Sequence, residues 1–291
     1  MATVTLARKG RSIIARPTAD KAVLRAFLER DRLFAAYAIC DLDDREFART
    51  RWAIAVEAGD PVAVGLEYSG PSPQPVFLMG ESDGVTAILR DVIRPRAAFV
   101  ATLPEHVAAV SSQYRLEPGP AMVRMWVDSA HFRPYPSAAV GRIDASDAPE
   151  LNRLYGLGFG SWLPPRAIAE GVYYGIRVNG RLVAAAGTHV VSRAARLAVV
   201  GNVLTHAEHR GRGYATAVTG AVTAALLLVC DEVVLNVRAD NPPALNAYRR
   251  LGYTEHVRFE ERLGRRIAAP WSSVLAGMLR RFGSRKEPTS E

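Results

Sequence analysis

Val203-Leu204-Thr205-His206-Ala207-Glu208-His209-Arg210-Gly211-Arg212-Gly213-Tyr214-Ala215 is the segment that decides how this 291-residue chain is read. An apolar run from Leu197 to Leu204 reads as a strand, and a long stretch of helix-favouring residues follows Gly213. Between them stand two glycines, which permit positive φ and remove the Cβ where a ligand must approach the main chain. A strand, a tight turn and a helix start aim backbone N–H groups and the positive end of a helix dipole at one point. That point is an anion site, most naturally for a phosphate or pyrophosphate. The turn lacks the lysine and hydroxyl of an ATP-binding loop and the third glycine of a dinucleotide fingerprint. Taken alone, Gly-Arg-Gly is equally well a simple tight turn.

A second segment sharpens the first. In Arg238-Ala239-Asp240-Asn241-Pro242-Pro243-Ala244-Leu245-Asn246-Ala247-Tyr248-Arg249-Arg250-Leu251-Gly252-Tyr253, Asp240 or Asn241 caps a helix with proline in its first turn, and Gly252 stops it. Tyr248 shares a helix face with Leu245 and Leu251, which is also the pattern of plain core packing. One helix and one strand separate the two segments, so both helix starts can lie at one sheet edge.

Together the segments resemble the GNAT superfamily of acyl-CoA-dependent N-acetyltransferases. Arg210-x-x-Gly213-x-Ala215 is similar to that family's pyrophosphate loop, and Asn241-x-x-Ala244-x-x-Ala247-Tyr248-x-x-x-Gly252-Tyr253 to its downstream motif. The resemblance runs from about Ala139 to Leu263. It implies that backbone N–H groups of Gly211, Arg212, Gly213, Tyr214, Ala215 and Thr216, with Arg210, hold the pyrophosphate of acetyl-CoA. It implies that Val203, Leu204 and Thr205 at a splayed strand end pair with the pantetheine arm, and that Asn241 hydrogen-bonds it. Tyr248 is then the acid that protonates the departing thiolate, and an N–H near Leu204 stabilises the oxyanion. Ala207 stands where the family commonly has proline. No Asp or Glu lies in Arg196–Leu204, where some relatives keep a general base. His189, His206, Glu208 and a water chain remain open for that role.

The rest of the chain reads as mixed α/β. Two prolines near Phe132–Ser137 mark a boundary, giving 1–133 as a degenerate GNAT-like or accessory domain, 134–263 as the catalytic domain, and 264–291 as a basic, partly disordered tail. The first half reads as a helix over Ala19–Ile39, then strands at Trp52–Glu57, Val62–Tyr68 and Val76–Met79, with a turn at Gly59-Asp60. A helix at Gly84–Val92, a strand at Ala97–Ala101, a helix at Pro104–Gln113 and a strand at Met122–Val127 complete it. The second half opens with a strand at Ala139–Ile143, a helix capped by Ser146 or Asp147, and a Gly/Pro-rich loop at Gly156–Pro165. That loop reads equally as a substrate-facing loop expected to shape acceptor specificity or as an ordinary connection. The clearest hairpin has Asn179-Gly180 as its turn, since that pair supplies the positive φ angles of a two-residue connection. Strands at Arg196–Leu204, Glu232–Val237 and Tyr253–Leu263 and helices at Gly213–Val229 and Pro242–Leu251 follow. A short amphipathic helix is expected at Pro270–Phe282.

Composition narrows the classes. The net charge of +8 is arginine-based, with lysine only at positions 9, 21 and 286. Arginine suits fixed contacts with phosphate, though a GC-rich coding sequence produces the same bias. Aromatics are not interleaved with the arginines as a single-strand nucleic-acid platform needs, and no metal-ligand spacing is present. Cys40 and Cys230 read as buried thiols of a reducing compartment, and no apolar run reaches the length of a membrane span. The expectation is a cytoplasmic transferase, an acyltransferase acting as monomer or homodimer on a primary amine. The alternative is a non-catalytic acyl-CoA-binding or sensing module.

Overall fold

The computed structural model describes residues 12–70, 72–156 and 163–267. Most of the Gly156–Pro165 loop and the whole Pro270–Phe282 helix expectation lie outside them. Along the chain come β1 (Ile13–Pro17), α1 (Lys21–Leu28), α2 (Ala36–Cys40), α3 (Asp44–Phe47), β2 (Thr50–Glu57), β3 (Asp60–Tyr68), β4 (Gln74–Gly80), α4 (Ser82–Asp91), β5 (Ala97–Thr102), α5 (Val107–Ser111), β6 (Tyr114–Leu116) and β7 (Ala121–Asp128). The second half adds β8 (Val140–Arg142), α6 (Ala148–Gly156), α7 (Pro165–Glu170), β9 (Tyr174–Val178), β10 (Arg181–Ser192), β11 (Leu197–Thr205), α8 (Tyr214–Leu227), β12 (Glu232–Arg238), α9 (Pro242–Arg250) and β13 (Thr254–Arg266).

Among the described residues all thirteen strands join one mixed sheet, in the order β1-β2-β3-β4-β5-β13-β7-β12-β11-β10-β9-β8, with β6 beside β13. Two strands cross between the halves. β7 pairs with β12 from Met122 to Asp128, although it precedes the boundary in sequence. β13, the last strand, pairs with β7 through its first part and with β5 from Glu260 to Arg265. The segments expected as 1–133 and 134–263 are therefore laced together through the middle of one sheet.

Helices cover both faces. The α1–α2 region packs Leu24, Phe27, Phe34 and Ile39 against strands of its own half and against Leu197, Val199 and Val234 of the other. Polar contacts pin the same junction. Arg32 Nε lies 2.5 Å from Glu232, and a guanidinium N–H of Arg32 donates to the Ala195 carbonyl. His256 lies 2.6 Å from Asp31, and Ser192 donates to Asp43 at 2.9 Å. Helices α4 and α5 cover the other face of the first half. Helices α8 and α9 cover the second half, where Val218, Val222, Leu226, Leu245 and Leu251 meet Ala198, Val200 and Leu235.

Several local expectations shift. The Ala19–Ile39 helix is broken into α1, a single tighter turn at Glu29–Asp31, and α2. The first hairpin turns on Ala58 and Gly59, both at positive φ, rather than on Gly59-Asp60. Asp144, not Ser146 or Asp147, is the cap of the helical segment beginning at Ala145; its carboxylate accepts from Ser146 N while Asp147 accepts from Asp144 N. The Asn179-Gly180 turn is as read, with φ of 49° and 75°. Strands β1 and β6 and helices α3 and α7 are short or edge elements whose periodicity is too brief to see in sequence.

Candidate active site

The site begins where β11 and β12 part. The two strands pair in parallel from Leu197–Glu232 to Val200–Leu235 and no further, although β11 runs on to Thr205 and β12 to Arg238. Strand β10 keeps its hold on the other edge of β11 as far as Ala184–Thr205, with an irregularity opposite Asn202, which has φ of 53°. Beyond Val200, β11 thus presents a backbone edge that β12 does not cover. Strand edges of this kind bind extended chains by adding a strand.

At the end of that edge the chain enters α8. Gly211 and Gly213 take φ of 74° and 77°, the left-handed region that glycine adopts without penalty. A Cβ at Gly211 would meet nothing within 4 Å, so its main chain is open to approach. Gly213 is the N-cap of α8 and supplies no side-chain cap, which leaves the first N–H groups of the helix for another acceptor. Helix α9 starts at the same sheet edge, capped by Asn241, whose Oδ1 accepts from Ala244 N at 3.3 Å.

Between these elements lies an open cleft of about 980 Å³. Val203, Leu204, Thr205, Arg210, Gly211, Gly213, Tyr214, Ala215, Thr216, Asn241 and Tyr248 all line it. Of the expected binding residues only Arg212 does not; its guanidinium reaches the Glu208 carbonyl at 3.5 Å. Among the candidate bases His189 lines the cleft, whereas His206 and Glu208 do not. Those two gather with His209 on the loop, their ligating atoms within 4.8 Å of one another. Two buried polar atoms on the cleft wall, Thr205 Oγ1 and His209 Nδ1, have no protein partner. Such atoms are costly unless a ligand or water meets them.

Sequence reasoning missed three side chains at the far end of the cleft. Tyr37 comes from α2, Met122 from β7 and Glu261 from β13. Nothing local marks them, because each reaches the site through the strand exchange or the α1–α2 overlay. Burial raises the Glu261 carboxyl above the ordinary range, partly offset by the buried Arg124 guanidinium. Tyr248 is buried and its phenol is pushed up to about 12 by desolvation. Its ring centroid stands 6.1 Å from that of Tyr253. Desolvation also lowers the His189 imidazole, which lines the cleft.

A strand edge laid open beside a glycine cradle at a helix start is the arrangement that the two sequence motifs imply. Residues 144–253 match the acetyltransferase (GNAT) family. This segment is a GNAT domain. No curated protein sequence matches the chain. The fold is shared with a GCN5-related N-acetyltransferase from Sphaerobacter thermophilus, at 16% identity and a TM-score of 0.60 over 88% of this chain and 97% of that one. It is also shared with a tandem GNAT protein from the clavulanic acid biosynthesis pathway, at 14% identity and 0.54 over 89% and 99%. A GCN5-related N-acetyltransferase from Kribbella flavida aligns at 18% identity and 0.52 over 72% and 89%. Acetyl transfer is the chemistry of the GNAT family, and its members draw the acetyl group from acetyl-CoA.

Proposed function

We propose that the chain transfers an acetyl group from acetyl-CoA to a primary amine by direct attack. The observation that carries this reading is the uncovered edge of β11 ending at the Gly211–Gly213 cradle. An extended arm fits beside Val203, Leu204 and Thr205, and a pyrophosphate fits against the N–H groups from Gly211 to Thr216. The orphaned Thr205 hydroxyl and His209 Nδ1 gain partners when such a ligand lies in the cleft. Asn241 keeps its amide N–H donors for the arm while its Oδ1 caps α9.

In this reading a backbone N–H near Leu204, on the edge of β11 turned away from β10, faces the thioester oxygen and steadies the charge that develops there. Tyr248 holds its proton at every working pH, since burial raises its phenol to about 12, and delivers it to the thiolate as the C–S bond breaks. Glu261 is the acidic residue among those lining the cleft and suits a cationic acceptor. We place the protein in the cytoplasm as a monomer or homodimer, built from two tandem GNAT-like halves, 1–133 and 134–263.

Calorimetry with acetyl-CoA on the wild type and on Gly213→Val tests the cradle. The wild type is expected to bind one acetyl-CoA per chain, and Gly213→Val to bind at least tenfold more weakly. Equal affinity would remove the pyrophosphate from this loop. An amine panel with acetyl-CoA then separates transfer from the non-catalytic sensing alternative, which predicts binding without turnover.

A further inference from the structure

A chain of hydrogen bonds with a fixed direction ends at the acceptor side of the cleft. Tyr173 donates its only O–H to the Thr188 carbonyl at 2.9 Å, so its oxygen can only accept from Asn202. That contact, at 3.3 Å, must therefore use the Asn202 Nδ2. Asn202 then turns Oδ1, an acceptor, toward His189 Nε2 at 3.2 Å. Nε2 must carry the proton, and Nδ1 of the neutral ring is left as a lone pair. The Tyr37 hydroxyl lies 2.6 Å from that Nδ1 and donates to it. Burial raises the Tyr37 phenol well above its usual range, which keeps it a donor, and lowers the imidazole, which keeps it neutral and able to receive a proton.

We infer that His189 is the general base of the acetyl transfer and that Tyr37, supplied by the other half of the molecule, relays the proton to it. This rests on the reading of the cleft given above. An ammonium acceptor gives one N–H proton to Tyr37 Oη while the phenol proton passes to His189 Nδ1. The imidazole becomes imidazolium, and the neutral amine forms the N–C bond to the thioester carbon. The C–S bond breaks, the thiolate takes its proton from Tyr248, and the second amine proton restores the Tyr248 phenol. His189 finally releases its proton to solvent. Asn202 is a positioning residue here, since it fixes the tautomer without touching the amine. The arrangement answers the absence of an acid on β11, because the base stands on the neighbouring strand and its partner on α2.

Two probe amines at fixed acetyl-CoA decide the assignment. Benzylamine is protonated at neutral pH and needs the base, whereas hydroxylamine is already neutral. His189→Gln and Tyr37→Phe are expected to lose about 100-fold in benzylamine acetylation, a usual size for general-base catalysis. They should keep hydroxylamine acetylation and acetyl-CoA affinity within about threefold of the wild type. Equal losses with both amines overturn the assignment. Long-range ¹H–¹⁵N NMR of the wild type gives a readout independent of turnover. It should show His189 protonated at Nε2, with the Nδ1 resonance moving in Tyr37→Phe; a ring protonated at Nδ1 overturns the relay. Failure of the wild type to bind acetyl-CoA would instead overturn the cofactor reading, and the NMR result would still decide the hydrogen-bond chain.

Discussion

Gly201 and His189 share one space: a Cβ on Gly201 would run into the His189 imidazole. The glycine stands on β11 just beyond its last pairing with β12, and the histidine on the adjoining β10. Gly201→Ala should therefore displace the ring from Tyr37 and Asn202 while leaving the pyrophosphate cradle intact. Misplacing a reacting group by about 1 Å costs on the order of 100-fold in rate. The expected result is a kcat loss of that size with acetyl-CoA Kd nearly unchanged, and parallel losses in both quantities would argue against it.

Removing the phenol of Tyr248 tests the acid. Tyr248→Phe keeps the ring that packs near Tyr253 and removes only the proton donor. Turnover should fall by about 100-fold, with CoA affinity and melting temperature close to wild type. Because the phenol titrates near 12, no basic limb of the pH–rate profile below pH 10 should vanish with this substitution.

Gly211 carries a backbone cost rather than a packing one. With φ at 74° and nothing near a new Cβ, Gly211→Ala should destabilise the protein by about 1–2 kcal/mol, the cost of a left-handed non-glycine residue. Chemical denaturation checks this, and relief of the strain by local rearrangement would appear as weaker acetyl-CoA binding.

Asp41, at the end of α2, is buried, and desolvation followed by Glu46 and Asp43 lifts its carboxyl to about 7. Protonation thus favours the folded state. The contribution is fully present below about pH 4, where the unfolded chain is also protonated, and it is lost as pH rises through about 7. Asp41→Asn should flatten that loss and raise stability at pH 8 by about 4 kcal/mol, with little effect at pH 4. Denaturation midpoints measured at both pH values give the comparison; an equal effect at both would refute it.

The exchange of β7 and β13 makes the two halves one cooperative unit. Calorimetry should show a single transition with matching calorimetric and van't Hoff enthalpies. Two separated transitions would mean that the halves hold their structure independently.

The second half was largely legible because its signals are local. Asn179-Gly180 names its own turn, Gly213 its helix start, and Asn241 with Pro242 a capped helix. The cleft-lining residues of the two motifs follow from those starts. Tyr37 and Glu261 were not legible, since their roles depend on contacts with residues far away in sequence: Tyr37 meets His189 across 152 positions. Strand β7 was found as a strand, but its partners were not, because alternation reports which face is buried and not which neighbour lies alongside. His189 was visible only as one of several candidates, and the hydrogen bonds that fix its ring depend on Tyr37 and Asn202, which no local pattern links to it.

The placement of β13 also sets a timetable for synthesis. The N-terminal half leaves the ribosome with β5 and β6 lacking the strand that lies between them, and that strand is the last of the described residues. Until residues 254–266 emerge, β5 keeps an unpaired edge, which is where nascent sheets aggregate or pair wrongly. Closure of the sheet therefore waits on the C-terminal end of the described chain, and with it the packing of Glu261 beside Tyr37. The last strand of the described chain thus completes the sheet and, in the same event, brings Glu261 to the cleft that Tyr37 lines.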